Sequence, residues 1–250
     1  MIRMTKSQMN RFDYKEWVAY FADNNEKRLE IDFSEEKDMP AGKKVLIFPS
    51  IRAFRKGEGS EGRHLADAAA KWADRTGRPE YKEAMQWFVR EENWHSAYLK
   101  KYMDFHRIRD AENSFLDKIF RRLRQSAGLK CEVTVLVTAE MIALTYYDAL
   151  SKCTESSALK SICRQMLKDE IPHIIFQSYT IGHFNNSPAY RLARILLMEF
   201  TSLAVWCAYR QVFEAGGYCF RRFLSVNLWY LRQSMEMAMR VGGSAAACRR

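Results

Sequence analysis

Residues 131–144 read CEVTVLVTAEMIAL and residues 168–177 read KDEIPHIIFQ. The first stretch is apolar almost all the way round a helix, which places it at the centre of a helical protein rather than on its surface. Glu140 stands in its middle, where an unpaired carboxylate would be expensive or would take up a proton. A metal ion would remove that penalty; a buried arginine or partial exposure would also relieve it. In the second stretch Glu170 and His173 are three residues apart, so a carboxylate and an imidazole share one helix face.

The same pair occurs twice more, as Glu92 with His95 and as Glu61 with His64, so three of the five histidines follow a glutamate at this spacing. Glu61 precedes Glu92 by 31 positions and Glu140 precedes Glu170 by 30. Two helical hairpins thus repeat one pattern. Each glutamate lies roughly 15 residues from its connecting turn, about 22 Å at the α-helical rise, so the four fall near one level. Glu on two helices and ExxH on two others is the ligand pattern of bundles that bind two metal ions between carboxylates. The candidate ligands are Glu61, Glu92, His95, Glu140, Glu170 and His173. Glu61 falls in the first turn of its helix, with Glu58 one turn earlier as its substitute. His64 has no counterpart on the third helix, where Ala143 stands, and reads as an extra ligand, a proton relay or a surface histidine. Pro172, between Glu170 and His173, predicts a kink or bulge.

Outward from these motifs the chain reads as all-α. Only 5 prolines and 11 glycines punctuate 250 residues, and good helix formers are plentiful. Helices are expected over about 60–75, with Ser60 as N-cap, then 80–105, 129–149 and 158–179. A long connection at about 106–128 holds a short amphipathic helix around 115–123. Residues 1–56 form an N-terminal extension with one helix, an acidic turn at 34–40 and an apolar patch VLIFPS. Residues 57–185 make the four-helix unit. Residues 186–250 form a C-terminal helical hairpin, about 190–215 and 218–240, packed on it as an oligomer interface, such as that of a homodimer, or as a lid.

The formal charge of +10 permits a nucleic acid or an anionic surface as partner, but the basic residues are scattered, so nucleic acid is not favoured. The six cysteines form no CxxC pair and read as reduced thiols of a cytoplasmic protein. The N-terminus has no secretory pattern, and the most apolar run, 195–209, is short for a bilayer span, so no transmembrane segment is expected.

With the segments GEGSEGRHL (57–65), EExxH (91–95) and DExxHIxFQ (169–177), the chain resembles the ferritin-like di-iron carboxylate superfamily. That superfamily includes rubrerythrins, ribonucleotide reductase small subunits and bacterial multicomponent monooxygenases. The likeness covers about residues 60–179 and is closest to bacterial ferritin-like proteins of unassigned substrate. It implies an antiparallel four-helix bundle with a long crossover and two iron ions, with manganese or a mixed Mn/Fe pair as alternatives. It implies dioxygen or peroxide, an external electron donor and a small-molecule substrate as partners. It also implies that Glu91 and Asp169 orient the histidine of the opposite helix. Tyr147, two turns after Glu140, and Tyr98, one turn after His95, are candidates for redox or supporting roles near the metals. The leading expectation is a di-iron oxygenase or oxidase. Alternatives are a rubrerythrin-like ferroxidase or peroxidase, a tRNA-base hydroxylase, and a non-enzymatic iron-binding bundle.

Overall fold

The computed structural model describes residues 13–59, 62–110, 122, 128–184 and 186–247. Among the described residues all regular structure is helical. In chain order the helices are α1 (Tyr14–Glu26), α2 (Ala41–Glu58), α3 (Arg63–Thr76), α4 (Pro79–Phe105), α5 (Gly128–Cys153), α6 (Ser157–Gly182), α7 (Pro188–Ala215) and α8 (Phe220–Ala247). The Ser60 N-cap and the short helix at 115–123 fall outside the described residues, Arg122 excepted.

Helix α5 is central, as its composition requires. It packs on α6, α7, α8 and α3, and nearly every residue from Glu132 to Leu150 is buried. Its neighbour α6 begins at Ser156, whose hydroxyl caps the helix by accepting from Leu159 N, and continues as one helix through Pro172. Helix α4 packs against α1, α2, α3 and α6. Pro79 starts α4 at a position where a missing N–H costs nothing.

The N-terminal segment differs from the reading as a helix followed by a turn and an apolar patch. VLIFPS is the body of α2, an 18-residue helix with Pro49 inside it. The next helix begins at Arg63, and Gly59 and Gly62 each lie hard against α4. A Cβ on Gly59 would lie 2.7 Å from Ser96 Oγ, and one on Gly62 would lie 2.3 Å from Val89 Cγ1. A larger residue at either position would force the Ser96 or Val89 side chain to shift. Glu58 is the last residue of α2, directed inward beside α4 and α5.

Helices α7 and α8 cover α5 and α6. Helix α7 is longer than the apolar run 195–209 indicated. Among the described residues α5 and α7 are the two helices long and apolar enough to cross a membrane, but 83% of the most apolar stretch of α5 is buried against 28% for α7. Leu192, Leu196, Phe200 and Leu203 are exposed at helical spacing along α7. The cysteines at 131, 153, 163, 207 and 219 are free thiols.

Candidate metal centre

The i, i+3 pairs on α4 and α6 face each other. Glu92, His95, Glu170 and His173 each present a ligand-type atom, and the four atoms lie within 4.8 Å of one another. The two imidazole centroids are 5.4 Å apart. Both histidines are completely buried. His95 Nδ1 lies 3.7 Å from Glu92 Oε1 and 3.6 Å from Glu170 Oε1. His173 Nδ1 lies 2.9 Å from Glu92 Oε1 and 3.6 Å from Glu170 Oε2. Each of these two carboxylates therefore touches the inward nitrogen of both rings.

The outward nitrogens are tied across the pair of helices. His95 Nε2 meets Asp169 Oδ2 at 3.2 Å, and His173 Nε2 meets Glu91 Oε1 at 2.9 Å. A carboxylate only accepts hydrogen bonds, so each strap holds a proton on Nε2 and leaves Nδ1 facing inward, where its lone pair is free once the ring is neutral. Phe88 packs edge-on against the His173 ring at 4.7 Å and holds its plane.

Two further carboxylates complete the cluster. Glu140 on α5 is 4% exposed, and the charges it feels most are those of His173, Glu170, Glu92 and Glu58. Glu58 on α2 brings Oε2 to 3.9 Å from His95 Nδ1 and accepts a 2.6 Å hydrogen bond from the Tyr147 hydroxyl. Glu61 lies outside the described residues, and Glu58 supplies the carboxylate from that side. Tyr147 is thus beside the cluster. Tyr98 points away: its hydroxyl accepts from Leu29 N at 3.1 Å, at the far end of α1.

Burial dominates the electrostatics. It raises the Glu140 carboxyl well above the ordinary range, raises Glu170 to about 8 and raises Glu58, with repulsion among the carboxylates adding to each. Glu92 is also desolvated, but its contacts with His173 and His95 hold it low. Burial opposes charge on both imidazoles too, yet the surrounding carboxylates outweigh it and lift both well above their usual value. In the absence of a cation, this pocket must carry protons to limit its negative charge.

Several atoms here are fully buried and have no hydrogen-bond partner: Glu92 Oε1, His95 Nδ1, both Glu140 oxygens, Glu170 Oε2 and His173 Nδ1. The short approach of Glu92 to His173 Nδ1 is not aligned as a hydrogen bond. Such atoms are costly to strand and are what a cation would engage. The residues therefore fit a metal ion.

Sequence reading did not single out two other features. Glu132, eight positions before Glu140 and fully buried, pairs with His64 Nδ1 at 3.0 Å, which gives His64 a partner on α5 outside the cluster. Asn24 on α1 donates to both Glu91 and Asp169. Comparison with protein-family models, curated proteins and solved structures yields no match.

Proposed function

We propose that the chain is a ferritin-like di-iron protein that activates dioxygen to oxidise a small organic substrate. In this reading α2 with α3, α4, α5 and α6 are the four walls of the bundle. Glu58, Glu92, His95, Glu140, Glu170 and His173 would hold the two ions. The observation that carries it is the set of stranded, buried atoms at one level, backed by histidines whose outer nitrogens are already occupied. Oxygen and nitrogen donors without thiolate favour iron, manganese or a mixed pair over structural zinc.

A bound pair of such ions supplies the exchange of electrons with dioxygen or peroxide and with the substrate. The protein's own part is positional. Glu91 and Asp169 fix the tautomers of His173 and His95. Tyr147, whose phenol burial and the Glu58 charge keep protonated, holds Glu58 by donating to it. Phe88 and Phe21 shield the His173 ring from water. With no CxxC pair for a built-in rubredoxin-type centre, electrons come from an external donor.

Anaerobic reconstitution with ferrous iron tests the reading, with two ions per chain expected. Fewer than one per chain defeats it. If iron binds, a transient absorbance on admitting dioxygen supports oxygen activation. Its absence together with rapid peroxide turnover replaces the oxygenase with a peroxidase.

A further inference from the structure

Asn24 sits in the last turn of α1, 8% exposed, with Trp17 and Phe21 buried on the same face of that helix. Its Nδ2 is 2.8 Å from Glu91 Oε2 and 3.2 Å from Asp169 Oδ1. An amide nitrogen carries two hydrogens, and here they go to two different carboxylates. Each carboxylate uses its other oxygen on a histidine: Glu91 Oε1 on His173 and Asp169 Oδ2 on His95. One continuous chain results, His173 to Glu91 to Asn24 to Asp169 to His95. It passes through α6, α4 and α1, with Asn24 its only link outside α4 and α6.

We propose that Asn24 is a positioning residue for both metal-facing histidines, so that α1 forms a wall of the metal centre; the inference rests on the di-metal reading above. Two buried carboxylates that face each other need a shared donor to stay in place, and a carboxylate bonded to a charged or strongly polar donor is held more firmly than one left free. Gln165 Nε2 supplements the restraint at Asp169, at 3.0 and 2.8 Å from its two oxygens. No corresponding second side chain is bonded to Glu91 among the described contacts, so the His173 strap depends more on Asn24.

The placement of Asn24 is itself built. The N-terminus of α1 is capped by Asp13, which accepts from Lys15 N at 3.0 Å. Beyond Asn24 the helix end is fixed to α4: Trp94 Nε1 donates to Asn25 Oδ1 at 3.3 Å, and the Arg28 guanidinium lies 3.8 Å over the Trp94 ring. Asn25 therefore serves as the control, because it docks the same helix end without touching either carboxylate.

The test uses the full chain and Co(II) alone, whose visible spectrum reports the ligand field while competition with a chelator gives its affinity. Asn24→Leu removes both donors, Asn24→Asp replaces them with a third carboxylate, and Asn24→Ser is a milder change that keeps a single hydroxyl. We expect a 10- to 100-fold loss of Co(II) affinity in Asn24→Leu and Asn24→Asp, the range for disrupted ligand-orienting contacts, with an altered spectrum and a smaller loss in Asn24→Ser. Asn25→Ala should lower the melting temperature yet keep Co(II) affinity within about twofold of wild type, since it breaks none of these straps. A merely structural Asn24 would lower the melting temperature of the metal-free protein and leave affinity and spectrum of the folded variants unchanged; that result overturns the proposal. So does an Asn25→Ala affinity loss as large as that of Asn24→Ser. Failure of wild type itself to bind two Co(II) would instead overturn the di-metal reading, and this inference with it.

Discussion

Raising the pH from 6.5 to 8 should destabilise the metal-free protein, with Glu170 the clearest source. Its carboxyl is wholly buried and is pushed from 4.5 to about 8, first by burial and then by Glu58 and Glu92, despite the attraction of His173. Through this window the folded chain keeps most of that proton while the unfolded chain, titrating near 4.5, has lost it. Stability then falls as pH rises, because the folded state binds more protons. Integrated from 6.5 to 8, Glu170 alone accounts for about 1.5 kcal/mol. Glu140, His95 and His173 are raised as well and act in the same direction. Two acids of opposite sign titrate below the window. Glu92 and Asp169 are held low, so their contribution is present above the ordinary carboxylate range and is lost only on acidification below it. His183 is pulled from 6.5 to about 4 by burial and Arg78, and because the unfolded imidazole is still half protonated at pH 6.5 it offsets at most about 0.4 kcal/mol of the fall within the window, less where solvent screens the ring.

Urea unfolding of chelator-treated protein at the two pH values measures the slope, with Glu170→Gln as comparator. The difference between wild type and variant should shrink by about 1.5 kcal/mol as pH rises, in favour of the variant. A difference that stays constant or moves the other way refutes the electrostatic account of the cluster. Loading the protein with metal should reverse the wild-type slope, since ligation requires deprotonated carboxylates and free Nδ1 lone pairs, and so releases protons.

Glu140→Leu should raise the stability of the metal-free protein by about 1–3 kcal/mol, because it removes two stranded oxygens from an apolar helix, while lowering metal content; calorimetry and metal analysis read the two effects. Glu58→Ala should lower metal content below two ions per chain, whereas Glu61→Ala should leave it unchanged; elemental analysis of both variants after identical loading decides which glutamate is used. Gly62→Ala brings a Cβ to within 2.3 Å of Val89 Cγ1, so Val89 must shift, and should cost about 1–3 kcal/mol in thermal unfolding; an unchanged melting temperature refutes it.

The parts of the site that sequence revealed are those with local periodicity. Helix α5 is legible because its apolar residues run all round it, and the histidine pairs are legible because residues three apart share a face. Glu140 stands out because its neighbours make a carboxylate incongruous. The remaining contributors are defined by long-range contacts. Asn24 lies in the polar run ADNNEK, which reads as the end of a surface helix; its partners are 67 and 145 positions away. Glu132 is joined to His64 across 68 positions. Glu58, one turn before Glu61, reaches the cluster from the C-terminal end of α2, a placement that a pattern matched on equal hairpin lengths does not register; Glu61 lies outside the described residues.

The distribution of unsatisfied groups separates structural polarity from a site. Along α5 and α6 the buried hydroxyls are satisfied within a turn: Thr138 donates to Thr134 O at 2.8 Å, Thr145 to Ile142 O at 2.8 Å, and Ser178 to Ile174 O at 2.6 Å. The buried acids and histidines away from the cluster are paired too, as with His64 and Glu132 or His106 and Glu36, which meet at 3.1 Å. Among the described residues, every buried carboxylate or imidazole atom that lacks a partner belongs to Glu92, His95, Glu140, Glu170 or His173. Unpartnered buried atoms elsewhere, such as Trp17 Nε1, the Tyr81 and Tyr102 hydroxyls and the Gln177 amide, are scattered and mostly neutral, whereas this cluster gathers stranded carboxylate oxygens and ring nitrogens in one place. Among the described residues no buried arginine or lysine is bonded to these carboxylates, and with both Nδ1 atoms turned inward by external straps the pocket fits a cation that would take the place of its protons.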